Sequence, residues 1–207
     1  MNNLSAAQLF IMETAKALLN KPVNSPFLNL SQYKLWEVKG RDSLQLVKRL
    51  VSDVVAKVAP FQSIDFIFTG YQYSVLRLGD GNFRLGLYGE LGTYGGLNFE
   101  EAIAQAKIGL QVEAKSPEIS AIALTLAPAL DLLPKIAVVQ PPQRLEALPS
   151  NYAVAARIDE NSVLIWRHQL LSQSVFELHT TVGDIEAIKV KLINIDRSPL
   201  QLRKLLE

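Results

Sequence analysis

The sequence predicts an α+β protein, a mostly antiparallel sheet built from hairpins with about four helices packed on one side of it. Three observations predict it. Short apolar–polar alternations recur along the chain, tight polar turns separate them, and four segments carry helical spacing bounded by cap or proline signals.

The first predicted helix is 5–19, with an apolar stripe at Leu4, Ala7, Ile11, Ala15 and Leu18 and Pro22 beyond its end. A strand follows at Tyr33-Lys34-Leu35-Trp36. The second helix, 42–58, is preceded by Gly40, carries an Asp42/Gln45 capping pair and is closed by Pro60. Its stripe is Leu44, Val47, Val51, Val54 and Val58, opposite Lys48, Arg49, Ser52, Asp53 and Lys57.

Ile64, Phe66 and Phe68 then share one strand face, and Tyr71, Tyr73 and Val75 share another. Asp80-Gly81 supplies the dipeptide favoured where a two-residue turn needs positive φ, so 71–90 reads as a hairpin. Asn98 and Glu101 form a second capping pair and open a helix over 98–110. A second hairpin spans 152–158 and 163–169 around Asp159-Glu160-Asn161-Ser162. A third joins 176–182 to 185–195 at Val182-Gly183-Asp184. A short helix from Pro199 closes the chain, with Leu202, Leu205 and Leu206 as its apolar face.

Residues 1–207 are read as a single domain. The Pro-rich connector 140–150, holding Pro141, Pro142 and Pro149, is where two lobes would divide.

Composition narrows the function classes. Lys and Arg total 21 against 20 Asp and Glu, so the basic excess a nucleic-acid binder uses on phosphates is missing. With no cysteine, disulfides, thiolate zinc sites, iron–sulfur clusters and cysteine nucleophiles are excluded, and a reducing, cytoplasmic setting is expected. Glu13 interrupts the first apolar stretch and no base precedes Lys16, unlike a secretory signal. The longest uncharged run, 119–130, falls short of the ~20 residues that span a bilayer, so no membrane span is expected.

Eight of the eleven glycines lie between Gly70 and Gly96, ending at Gly95-Gly96 before Asn98. A glycine-rich loop entering a helix presents free N–H groups, so Gly95, Gly96 and Asn98 form a candidate anion site. No phosphate-loop lysine accompanies them, Glu100 and Glu101 follow, and the plainer reading is a set of turns, with Gly86 and Gly89 at bulges or close backbone contacts.

Glu37-Val38-Lys39 sits at a strand end, the pattern by which metal-dependent nucleases hold Mg²⁺ and orient water. The acid such enzymes need on the preceding strand is missing, and a solvated strand edge is the plainer account. By alternation His168 shares a face with Leu164 and Trp166, and His179 with Glu177 and Thr181. A buried His168 and an exposed His179 are expected, with no third group marking a metal site.

Lys34, Lys39, Arg41, Lys48, Arg49 and Lys57 outnumber Glu37, Asp42 and Asp53 in the first third of the chain, whereas 60–105 is acidic and rich in tyrosine. Tyr71, Tyr73, Tyr88 and Tyr94 are candidate interface residues, because tyrosine is favoured where proteins meet. The sequence thus points to a non-enzymatic interaction or assembly protein without a cofactor or metal. It would bind another protein, or itself, through a sheet face or the tyrosine-rich hairpin. The alternatives are an anion-binding enzyme or ligand-binding domain using 92–98 and, more remotely, a nuclease using Glu37 and Lys39.

Overall fold

Among the described residues every strand pairing is antiparallel, and the pairings make two sheets that lie face to face. The computed structural model describes residues 27–28, 34–68, 71–88, 99–170 and 172–196, with the side chains of Phe68, Tyr71 and Asp196 outside that description. Strands are β1 (Phe27–Leu28), β2 (Lys34–Lys39), β3 (Ser63–Phe68), β4 (Tyr71–Gly79), β5 (Asn82–Tyr88), β6 (Glu113–Lys115), β7 (Ile119–Thr125), β8 (Ala137–Val139), β9 (Tyr152–Ile158), β10 (Asn161–Leu170) and β11 (Gln173–Thr181). Helices are α1 (Ser43–Leu50), α2 (Phe99–Ala106), α3 (Leu126–Ile136) and α4 (Ile185–Asp196). The first sheet runs β3-β4-β5-β2-β6 and the second β1-β7-β11-β10-β9-β8. The fold is therefore α+β, dominated by strands.

Alternation decides which face of each strand meets helix. In the first sheet Trp36, Val38, Tyr73, Val75, Phe83 and Leu85 pack under α1 and α2. In the second, Ile122, Leu124, Val154, Ile158, Ile165, Phe176 and Leu178 pack under α3 and α4. Helices thus cover the two outer faces, not one side of a single sheet. The inner faces meet each other, with Leu76 against Ala153 and Trp166, and Tyr88 near Ala123, Leu170 and Val175.

Several elements differ from their sequence signals. The predicted helix 42–58 breaks after Leu50, and a 3₁₀ turn follows over Asp53–Lys57. Ser52 causes the break, because its hydroxyl accepts the Val54 N–H and starts a new turn. Asp42 caps no helical N–H; its carboxylate accepts the Gln111 N–H at 2.7 Å instead. Arg49 in the last turn donates to the carbonyls of Ala106 and Ile108, filling orphan acceptors at the end of α2.

Residues 185–195 form α4, not a strand. Ile185, Ile188 and Leu192 are buried at three- and four-residue spacing, and packing on the second sheet outweighs the β-branched composition. A helix unmarked in the sequence reading, α3, lies over the segment holding Pro128 and Pro134. Pro128 falls in its first turn, where a missing N–H costs no intrahelical bond.

The connector 140–150 carries the chain between β8 and β9, adjacent strands of one sheet. The predicted helices 5–19 and 199 onward lie outside the described residues. Among the described residues no helix is long and apolar enough to cross a membrane.

Candidate functional site

The inner faces of the sheets carry an unusual load of polar side chains. From the first sheet come Glu37 on β2, Asp65 on β3, Gln72 and Ser74 on β4, and Arg84 and Tyr88 on β5. From the second come Trp166 and His168 on β10, and Glu177 and His179 on β11. Arg84, His168, Glu177 and His179 are all buried, Glu177 and His168 completely.

Glu177 is the hub. Its Oε2 accepts the Tyr88 hydroxyl at 2.9 Å and lies 2.9 Å from His168 Nε2, while its Oε1 is bonded to His179 Nε2. On the far side of His179, Arg84 Nη1 lies 2.8 Å from Nδ1. A guanidinium only donates, so Nδ1 must accept, and the His179 proton sits on Nε2, pointing at Glu177. Arg84 Nη2 donates to Glu37 Oε1 at 2.9 Å, and Lys39 closes the line with a 2.6 Å ion pair to Glu37 Oε2. The chain of contacts is Lys39–Glu37–Arg84–His179–Glu177–His168.

The electrostatics follow from this order. Burial would raise the Glu177 pKa, but the two histidines, by charge and hydrogen bond, outweigh it and hold the carboxyl below its usual range. Burial is the main cause holding His179 below the ordinary imidazole value; Arg84 and His168 add to that, and Glu177 opposes it. Glu37 is likewise lowered: burial pushes it up, and Lys39 and Arg84 pull it further down. Asp65 is raised by burial, despite the Ser74 hydroxyl it accepts.

Packing locks the geometry. The Trp166 ring stacks on His168 at 4.1 Å and its Nε1 donates to Ser63 Oγ at 2.9 Å. Gln72 crosses between the sheets to the Gln169 carbonyl at 2.8 Å. Tyr88 reaches Glu177 because Gly86 leaves room for its ring; a Cβ at Gly86 would stand 2.6 Å from the phenol oxygen. His168 Nδ1 makes no hydrogen bond and stands 4.0 Å from Asp65 Oδ1.

Carboxylate–imidazole pairs resemble catalytic relays, but these are sealed from solvent. Three cavities lined by described residues, of about 620, 640 and 560 Å³, contain none of them. Among the described residues no group of three or more His, Asp or Glu side chains is placed to hold a metal ion.

The sequence candidates fare unevenly. His168 is buried as expected. His179 is buried too, contrary to expectation, because β11 is an inner strand flanked by β7 and β10. Glu37 and Lys39 pair with each other, and Arg84 takes the second oxygen of Glu37. Tyr73 lies under α2, stacked near Phe66 and Phe99, and Tyr88 lies in the seam, so both are buried rather than surface residues. Gly95, Gly96, Asn98, Tyr94 and the Tyr71 side chain lie outside the described residues. The sequence reading missed Glu177 and Arg84.

An open apolar trough lies elsewhere. At the β8–β9–β10 end of the second sheet, Phe61, Val138, Ala155 and Leu164 line it, with Val138 71% exposed.

No family model matches the sequence, and no curated protein matches it. Solved structures do resemble the fold. The glycine cleavage system aminomethyltransferase T of Bartonella henselae superposes with a TM-score of 0.64 at 17% identity, covering 83% of this chain and 46% of that one. The chain thus spans about half the length of that enzyme. The heterotetrameric sarcosine oxidase of Corynebacterium sp. U-96, solved with pyrrole 2-carboxylate, superposes with a TM-score of 0.56 at 14% identity, covering 81% of this chain and 80% of the matched one. At such identities the likeness is one of fold: this chain is built like components of two enzymes.

Proposed function

We propose that the protein is a non-catalytic subunit or assembly protein that binds another protein through an uncovered sheet face. The observation that carries this reading is the buried seam, where groups capable of acid–base work bond to one another and line none of the three cavities found among the described residues. The sarcosine oxidase likeness supports it, since a chain of similar extent there belongs to a heterotetramer. Tyr73 and Tyr88 are both buried, which favours the trough at Val138 over the tyrosine-rich hairpin as the contact surface. The test is purification of tagged protein from its native cell beside a Val138→Arg variant. A stoichiometric partner with wild type, lost with the variant, is expected. A monomer that turns over substrate alone overturns the reading.

A second reading is favoured by the aminomethyltransferase likeness: an enzyme-like, ligand-binding domain acting in aminomethyl-group chemistry, with loop 92–98 holding an anionic ligand. Thermal-shift titration with inorganic phosphate, nucleotides and amino acids checks it. A saturable shift that a Gly95→Asp, Gly96→Asp variant abolishes supports it, and no shift with any of them removes it.

A further inference from the structure

We propose that the seam is a proton-operated latch: uptake of one proton by His179 parts it from Arg84 and loosens the contact between β5 and β11. The argument is geometric. His179 Nδ1 accepts from Arg84 Nη1 at 2.8 Å, and Nε2 already carries the proton bonded to Glu177. An added proton has one place to go, Nδ1, where it meets a donor that cannot become an acceptor. A hydrogen bond turns into two N–H groups facing each other and two cations in contact, out of water.

The described groups around His179 channel the response. Glu177 on its own strand keeps its bond and gains a stronger one. His168 on β10 bonds Glu177, Trp166 on β10 meets the His179 ring edge-on, and Asp65 on β3 lies beyond His168; all three stay in place. On β2, Glu37 already holds the other arm of Arg84, with Lys39 beside it. Ala121 on β7 and Leu164 on β10, the register partners of His179, offer no charge. Arg84 is the group that moves, toward Glu37 and away from the second sheet. One of the side-chain links between the sheets opens, and Tyr88 remains as the β5 tie to Glu177. Burial of His179 keeps the latch shut at neutral pH, since the charged imidazole is disfavoured there.

The test is the pH dependence of urea stability between pH 7.5 and 5, a window above the range where Glu177 and Glu37 titrate. A proton bound by the unfolded chain and refused by the folded one changes the folding constant by about tenfold per pH unit below about 6.5. Wild type loses stability with that slope, and His179→Gln flattens it by one proton. A slope that survives His179→Gln overturns the proposal. Two measurements on wild type keep it decidable if a variant fails to fold. ¹⁵N spectra at pH 7.5 are expected to show His179 Nδ1 unprotonated, and a protonated Nδ1 sinks the latch. Amide protection at Arg84, Gly86 and Leu178 is expected to fall before that of α3 and α4 as pH drops; simultaneous loss everywhere means global unfolding and no latch.

Discussion

The ring of Tyr88 lies back across Gly86, its neighbour on the same face of β5, and that overlap aims the phenol at Glu177 on the opposing sheet. Gly86→Ala should push the ring aside and cost about 1–3 kcal/mol by overpacking. Tyr88→Phe should cost about 1–2 kcal/mol through the lost bond to a charged acceptor. The double variant should fall short of the sum, because displacing the ring and deleting its hydroxyl remove the same contact. Urea denaturation of the three proteins checks this.

Trp166 joins β10 to β3 by its indole N–H and shields His168 by stacking. Trp166→Phe keeps most of the apolar volume but leaves the buried Ser63 hydroxyl without its donor, a loss of about 1–3 kcal/mol. Thermal unfolding should show a lower Tm with the fold retained by circular dichroism.

Among the described residues Asp65 is the one carboxyl whose pKa is raised on balance, because burial outweighs its hydrogen bonds and the pull of His168. Its ionised form is disfavoured in the folded state, so its contribution improves as pH falls, opposite in sign to its neighbours. Asp65→Asn should therefore be neutral or slightly stabilising at pH 7.5, and its effect should vanish near pH 3, where the wild-type carboxyl is protonated in both states. Paired stability measurements at the two pH values decide it.

Glu177 and Glu37 behave in the other sense. Their folded pKa values lie below the ordinary 4.5, so the stability they supply is complete above that value and drains away as pH falls below it. Glu177→Gln should cost more than about 3 kcal/mol at pH 7, since several donors lose an ionised acceptor. That penalty should shrink toward pH 2. A penalty independent of pH would show that Glu177 is not ionised in the folded protein.

The two-residue alternation of the strands was legible, and with it the faces shared by Phe83 and Leu85 and by His168 and Trp166. The hairpins at 71–90 and 152–169 were legible too, because Asp80-Gly81 and Asp159-Glu160 are strong local turn signals. Two things hid the seam: the misreading of one segment and the expectation of one sheet instead of two. With 185–195 taken as a strand, Glu177 and His179 are paired with the wrong neighbour, and His168 stands apart from them. In the structure β11 pairs with β10 instead, setting His168 opposite Val175 and two residues from Glu177 along the register. The segment 185–195 misleads because β-branched residues alternate in it while its buried positions follow helical spacing. Arg84 and Tyr88 were legible as strand residues, but nothing local shows that a second sheet covers them.

A greasy interface between two β-layers tolerates a shift of one residue pair, since one aliphatic contact replaces another at little loss. The seam does not. Glu177 needs its donors at set positions along β5 and β10, and any slip strands an ionised carboxylate away from water. The hub therefore acts as a key that admits one alignment of the layers. Exchanging the whole set for aliphatic side chains is expected to give a protein that holds together well and no longer knows how its halves should sit.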